Sequence, residues 1–176
     1  VNGITVSQVM GCGAQRGYKK RVRGTDAMAC NVIQCRNDSV LHLADGTVVY
    51  LAGGSNLSIA NNFGKKDRTV ALTGEAFFEV AKDKKKSFIV KTKEINAIVH
   101  GTSFNVVAYG GTVESQVAVR TGCVEVAKGE QSFGKFHCGD RVVHDNHSPL
   151  QSFASSIATI HIDYCRVSPK YCCNTV

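Results

Sequence analysis

The fold of this chain is decided by three stretches: VLHLADGTVVYL (residues 40–51), RTVALTGEAFFEVAKDKKKSFIVKT (68–92) and INAIVHGTSFNVVAY (95–109). Each stretch consists of short apolar runs rich in Val, Ile, Phe, Tyr and Thr. Gly, Asp, Asn or a lysine cluster closes each run. β-Branched and aromatic residues fit the pleated surface of a sheet, so these runs predict strands rather than helices.

Two hairpins are expected within these stretches. Asp45-Gly46 separates two apolar runs, and glycine accepts the positive φ that a tight hairpin turn requires. The Lys82–Lys86 cluster separates Phe77–Ala81 from Phe88–Lys91. We therefore expect this cluster to form the solvated tip of a second hairpin.

The same reasoning predicts an all-β architecture. Turn-forming residues dominate GGSNLSIANNFGKKD (53–67), where we expect turns. No segment has a convincing helical period. Eleven strands are predicted, near residues 39–43, 47–51, 68–72, 75–81, 87–92, 95–100, 103–109, 113–120, 122–127, 131–136 and 140–144.

Length and composition indicate one globular domain. A chain of 176 residues is long enough to bury a core, and 43% hydrophobic with 20% charged residues is ordinary for such a domain. No run of eighteen apolar residues occurs, so we expect no membrane span. A start at Val1 rather than Met is typical of a processed mature form, and a fragment of a longer chain would look the same.

The net charge of +7 is spread over many segments, with dense clusters at residues 19–23 and 82–86. Solvated surface is the preferred interpretation, and attraction to an anionic partner is the alternative. No nucleic-acid-binding motif accompanies the basic residues, so we expect no nucleic-acid partner.

Cysteine content indicates an oxidising compartment. An even number of cysteines without CxxC spacing favours disulfides over a metal site. Six of the eight lie before Arg36 or after Ser148. The disulfide candidates are Cys12, Cys30, Cys35, Cys123, Cys138, Cys165, Cys172 and Cys173.

Several motifs in the middle of the chain resemble one known family. They are the Leu-x-Asp-Gly-Thr turn at residues 43–47, the GEAFFEVA run at 74–81 and the GTSFNV run at 101–106. These motifs resemble the periplasmic domain of FecR-type sensor and anti-sigma regulators, and their sequences are similar to the Bacteroidetes versions. The resemblance covers about residues 36–146.

The resemblance implies two facing sheets of short strands with jelly-roll or short β-solenoid character. It also divides the chain into a Cys/Gly-rich N-terminal arm (1–35), a FecR-like β-domain (36–146) and a Cys-rich C-terminal tail (147–176). We expect disulfides to link the two terminal arms to the β-domain. By the same resemblance, the partner of such a domain is a TonB-dependent receptor.

No catalytic constellation is visible in the sequence. G-x-S-x-G, P-loop, G-x-G-x-x-G and H-E-x-x-H motifs are all missing, so we expect neither an enzyme nor a cofactor. A cluster of metal-ligand types is formed by His137, His144 and His147 with Cys138 and Asp145 near them, but loop clusters of this kind are usually solvated, and we expect no metal site.

Two further sets of residues are candidates for specific roles. The glycan acceptor candidates are Asn37, Asn56 and Asn146 in Asn-x-Ser sequons, together with Ser39. The core candidates are Phe77, Val80, Phe104 and Val106, in two predicted strands that each begin with a glycine.

Two functions from different classes fit these features. The preferred one is a structural, self-assembling extracellular or cell-surface subunit of a fibre or surface layer, in which strand or arm exchange builds a homo-oligomer. Cysteines concentrated outside the family match favour that role. The alternative is a periplasmic sensory domain of a FecR-type sigma regulator that binds a TonB-dependent receptor.

Overall fold

The computed structural model of the chain describes residues 5–7, 30–111, 114–145 and 151–153. All regular structure in these residues is β-structure, as predicted. The strands are β1 (Thr5–Ser7), β2 (Cys30–Gln34), β3 (Ser39–His42), β4 (Val48–Leu51), β5 (Asn56–Ala60), β6 (Arg68–Glu79), β7 (Phe88–Lys91), β8 (Asn96–Val99), β9 (Ser103–Ala108), β10 (Glu114–Thr121), β11 (Cys123–Lys128), β12 (Gln131–His137), β13 (Arg141–Asp145) and β14 (Gln151–Phe153).

The strands form two sheets that share β6. Sheet A has the order β1-β3-β4-β6-β9-β10-β13-β14. Sheet B has the order β2-β5-β6-β7-β8-β11-β12. The two sheets are therefore continuous through one long strand.

Strand β6 changes sheets at Gly74. Its residues up to Thr73 pair with β5, and its residues from Gly74 onward pair with β9. Gly74 has a φ of 111°, and a Cβ atom there would lie 2.3 Å from the Ser55 hydroxyl oxygen. Only glycine satisfies both the dihedral angle and this close approach.

One hydrophobic core fills the space between the sheets. Phe78 of sheet A stacks on Phe104 at 5.4 Å between ring centroids and lies 5.9 Å from Phe88 of sheet B. All three rings are fully buried. Burial alternates along β4 and β8, as expected for strands with one face against a core.

The positions of most predicted strands are confirmed, with two corrections. Residues 53–67 contain β5, whose Leu57 and Ile59 face the core while Asn and Ser occupy the opposite face. The turn-forming residues thus lie on the exposed side of a strand. The two strands predicted near 68–72 and 75–81 are the single strand β6.

The prediction of a second hairpin at Lys82–Lys86 is wrong. β6 and β7 are parallel, with Arg68 opposite Phe88. Residues 80–87 therefore return the chain from the end of β6, in sheet A, to the side of its first residues, in sheet B. The Asp45-Gly46 hairpin is confirmed: β3 and β4 are antiparallel, and Gly46 has a φ of 84°.

The predicted disulfides are not supported. Cys35, Cys123 and Cys138 are free thiols. Cys35 is buried in the hydrophobic core, where a thiol packs as a small apolar group. Cys138 donates to the backbone carbonyl of Arg120. An even number of cysteines suggested pairing. The number alone does not show which cysteines the fold brings close enough to form a bond.

The remaining predicted features of the termini lie largely outside the described residues. Cys12, Cys165, Cys172, Cys173, Asn146 and His147 are among them. Cys30 is described only as a backbone member of β2, which pairs with β5. The assigned arm boundaries stay a prediction.

Among the described residues, the most deeply buried charged group is Arg68, the first residue of β6. Its side chain is 2% exposed and forms a 2.9 Å salt bridge with Asp45, which lies in the β3–β4 turn. Its guanidinium also donates to the carbonyl oxygens of Ala81 and Lys86 and lies 5.5 Å from the centre of the Phe88 ring. One side chain thus joins the start of β6, the β3–β4 turn and the 80–87 connection.

Asp45 has further partners that keep it in place. It accepts hydrogen bonds from the backbone N–H and the hydroxyl of Thr47, and that hydroxyl in turn accepts the N–H of Ala81. The buried ion pair is therefore hydrogen-bonded on both sides, which is the condition under which such a pair is tolerated in an interior.

We expect Arg68→Met to lower the free energy of unfolding by about 3–5 kcal/mol, because it leaves the Asp45 carboxylate and two carbonyl groups without their partner. Arg68→Lys retains the charge but not the planar fork, so its unfolding free energy should lie between those of Arg68→Met and the wild type. Urea unfolding monitored by circular dichroism measures both. Lys91→Met, at the exposed end of β7, is the control, with an expected change within about 0.5 kcal/mol. A loss below about 1 kcal/mol for Arg68→Met would show that the pair does not hold the fold.

Candidate functional site

A polar and aromatic surface covers the side of sheet A that faces away from the core. We call it the outer face. It is formed by Tyr50, Glu75, Phe77, Glu79, Asn105, Val107 and Tyr109. The period of two along a strand explains its composition, because the residues between these positions point into the core.

Strand register brings the central members of the outer face into one row. Tyr50 on β4 lies opposite Phe77 on β6, and Phe77 lies opposite Asn105 on β9. The Tyr50 and Phe77 rings are 6.0 Å apart between centroids, and the Tyr50 hydroxyl donates to Glu79 at 3.4 Å. Aromatic groups are therefore fixed beside a carboxylate on a sheet surface.

A second polar group lies beside this row. The side-chain amide of Asn105 donates to the Glu75 carboxylate at 3.3 Å, and the Asn105 side chain is buried. Its carbonyl oxygen has no hydrogen-bond partner among the residues that the structure describes. Tyr109, four residues after Asn105 on the same face, is 42% exposed.

The pKa of the Tyr109 hydroxyl is changed by its surroundings. Partial burial raises the pKa of the Tyr109 hydroxyl above its ordinary 10.0, and the nearby negative charge of Glu75 raises it further. Tyr109 therefore remains a neutral hydrogen-bonding group at all physiological pH values. A neutral phenol beside carboxylates suits recognition better than nucleophilic chemistry.

A basic surface is formed by two loops that we call the lysine loops, residues 62–67 and 82–87. They contain six lysines and two aspartates. The Lys86 ammonium group donates to the carbonyl of Gly64, which holds the two loops against each other. The Asp83 carboxylate accepts the backbone N–H groups of Lys85 and Lys86, and these bonds lower its pKa below the ordinary 3.8.

The predicted core residues lie on the two opposite sides of sheet A. Val80, Phe104 and Val106 are in the hydrophobic core between the sheets. Phe77 is also buried, at 4% exposure, but its side chain belongs to the outer face beside Tyr50.

The described glycan acceptor candidates differ in accessibility. Asn37 is exposed, Asn56 is half-buried, and Ser39 is 2% exposed with its hydroxyl donating to the Asn37 carbonyl. Glycosylation at any of these residues stays a prediction.

The histidines and cysteine near the end of the β-domain do not converge. His137 and Cys138 are exposed, whereas His144 is buried beside Phe133 and Lys128. No group of three His, Cys, Asp or Glu side chains that could hold a metal ion occurs within the described residues. The same part of the chain contains no helix long and apolar enough to cross a bilayer.

The sequence analysis did not identify Asn105 as a member of the outer face or Arg68 as a member of the buried ion pair. Asn105 occurs within an apolar run, NVVAY, where a polar residue at an alternating position is a signal for the opposite face. No comparable signal marked Arg68, because a single arginine at a strand start is usually exposed.

Comparison with known proteins gives concordant results. The family model described as FecR protein matches residues 32–125. Two crystal structures of a proposed anti-sigma factor from Parabacteroides distasonis ATCC 8503, at 2.50 Å and 1.65 Å resolution, are similar to this chain, with TM-scores of 0.66 and 0.65. Both are 32% identical over 70% of this chain, which covers only 59% of their length. No curated protein matches the chain.

We expect Glu75→Gln to lower the pKa of Tyr109 toward 10.0 but not to that value, because burial, the larger cause, remains. Titration of the tyrosine ring carbons by NMR measures this shift, with the signal assigned by Tyr109→Phe. Glu79→Gln is the matched control, since its carboxylate contacts Tyr50 instead. Equal effects of the two glutamine variants would contradict the assigned influence of Glu75.

Proposed function

Because this chain belongs to the FecR protein family, we propose that it is the periplasmic sensory β-domain of a FecR-type sigma regulator and that it binds a TonB-dependent receptor. The observation that carries the proposal is the family match over residues 32–125. The structural likeness to a proposed anti-sigma factor supports it. Since the chain spans less than two thirds of those relatives, the regulatory activity of a whole protein is part of the proposal.

The fibre or surface-layer role has less support. It depended on cysteines that crosslink the terminal arms, and the three cysteines with described side chains are free thiols. The matched family and structures give no indication of a fibre or of self-assembly. The regulatory role requires neither feature.

We assign the receptor contact to the outer face of sheet A. Binding energy at protein interfaces concentrates in tyrosine, tryptophan and arginine side chains, surrounded by polar groups. The outer face presents Tyr50 and Tyr109 together with Glu75 and Glu79, and Tyr109 is one of two large apolar or aromatic residues with substantial exposure among the described residues. A rigid sheet holds these groups in fixed positions, which reduces the entropy lost on binding.

The carboxylates of this face favour a partner surface that carries positive charge. Glu79 and Glu75 are each already oriented by a hydrogen bond, from Tyr50 and Asn105 respectively. Oriented charges add specificity and association rate more than raw affinity. Complementary lysine or arginine side chains are therefore expected on the receptor.

The proposal is tested by measuring the affinity of this chain for isolated periplasmic signalling domains of TonB-dependent receptors from the same organism, with calorimetry. We expect one of them to bind, and we expect Tyr109→Ala combined with Glu79→Ala to weaken binding at least tenfold, about 1.4 kcal/mol. The control is Glu125→Ala combined with Lys135→Ala, a cross-strand pair on sheet B.

The two parts of the proposal have separate outcomes. If no receptor domain binds the wild-type chain, the sensory role is wrong. If one binds and the sheet B variant loses affinity while the outer-face variant does not, the role stands and the assigned surface is wrong.

A further inference from the structure

The lysine loops have a charge density that the proposed receptor contact does not use. Lys65, Lys66, Lys82, Lys84 and Lys85 are all exposed, and none of them takes part in an ion pair within the described residues. The loops together carry a net charge of +4, more than half of the +7 of the whole chain.

The two aspartates of the loops do not contact these lysine ammonium groups. The carboxylate of Asp83 accepts backbone N–H groups of its own loop. Asp67 accepts the hydroxyl of Thr69 at 2.6 Å. Both acids therefore stabilise loop conformation, while the lysine side chains remain available to an external anion.

The buried centre of the fold holds this surface together. Arg68 donates to the carbonyls of Ala81 and Lys86, at both ends of the second loop, and Lys86 bonds to Gly64 of the first. Because these bonds hold the backbone of both loops, the two loops present their lysines together with little further cost of ordering the loops.

The chemistry of the surface favours one class of partner. An acidic protein segment is normally bound by arginine forks and aromatic anchors, and the loops contain no arginine. Their only aromatic residue, Phe63, packs against the core next to Phe88. Exposed lysines without an apolar anchor suit many phosphates distributed over a surface, as in a layer of anionic lipid headgroups.

We propose that the lysine loops bind the anionic headgroup surface of a phospholipid membrane. The contact is electrostatic and peripheral, with no insertion of apolar side chains. It orients the β-domain with its lysine loops toward the bilayer. Each lysine near an anionic leaflet is expected to contribute about fivefold to the partition coefficient.

The test is sedimentation of the full chain with vesicles of equal parts phosphatidylglycerol and phosphatidylcholine, and with vesicles of phosphatidylcholine alone. We expect binding only to the first, reduced strongly at about 1 M salt, where the screening length falls to about 3 Å. Lys65→Gln, Lys84→Gln and Lys85→Gln combined should reduce partitioning about a hundredfold. Thermal unfolding checks that this variant remains folded.

A matched control separates a specific surface from net charge. Lys91→Gln, Lys93→Gln and Lys135→Gln combined remove the same charge from exposed positions elsewhere, and we expect less than a fivefold effect. Equal loss in the two triple variants, or equal binding to both vesicle types, overturns the proposal. So does tighter binding of the wild type to poly-glutamate than to the anionic vesicles, which would indicate an acidic protein partner.

Free inorganic phosphate distinguishes a headgroup surface from a single anion site. We expect millimolar phosphate to leave vesicle binding nearly unchanged, because no single phosphate contacts all the lysines. Full displacement by phosphate at constant ionic strength would overturn the membrane assignment. Receptor-domain binding by the loop variant, measured in parallel, should equal that of the wild type, so failure here is distinct from failure of the sensory role.

Discussion

The buried ion pair between Arg68 and Asp45 is the constraint on which the rest of the structure depends. Strand β6 belongs to both sheets, and its first residue reaches the carbonyl of Ala81, two residues beyond its last. The strand must therefore curve so that its two ends approach the same guanidinium group. Arg68 joins that curve to the β3–β4 turn through Asp45. An apolar side chain of the same size would have no donor to satisfy these acceptors.

The two candidate surfaces both follow from the path of β6. Its second half places Glu75, Phe77 and Glu79 on the outer face between β4 and β9. Once it ends, the chain returns to sheet B, and the return segment carries four of the six loop lysines, while Lys65 and Lys66 lie in the loop that precedes β6. The carboxylates and aromatics thus lie on a hydrogen-bonded sheet, whereas the lysines lie on loops. These two settings suit a shaped protein partner and a diffuse anionic surface, respectively.

The β-domain presents its surfaces from a rigid scaffold, which reduces the entropy lost on binding. The core shared by both sheets and the buried ion pair supply that rigidity. Free cysteines are compatible with this design, because Cys35 contributes apolar packing rather than a crosslink. Stability in the described part of the chain comes from core packing and the sheet hydrogen bonds, with no covalent link between the two sheets.

The sequence by itself determined the β class, the Asp45-Gly46 turn, most strand positions and the family, because residue preference, alternation and turn chemistry act over a few neighbours. It did not determine which strands pair. The parallel β6–β7 pair, the burial of Arg68 and the grouping of Tyr50, Phe77 and Asn105 all join residues from separate strands. Alternation assigns a side chain to one face of its strand but does not identify the neighbouring strand, so only the tertiary structure decided which residues share a surface.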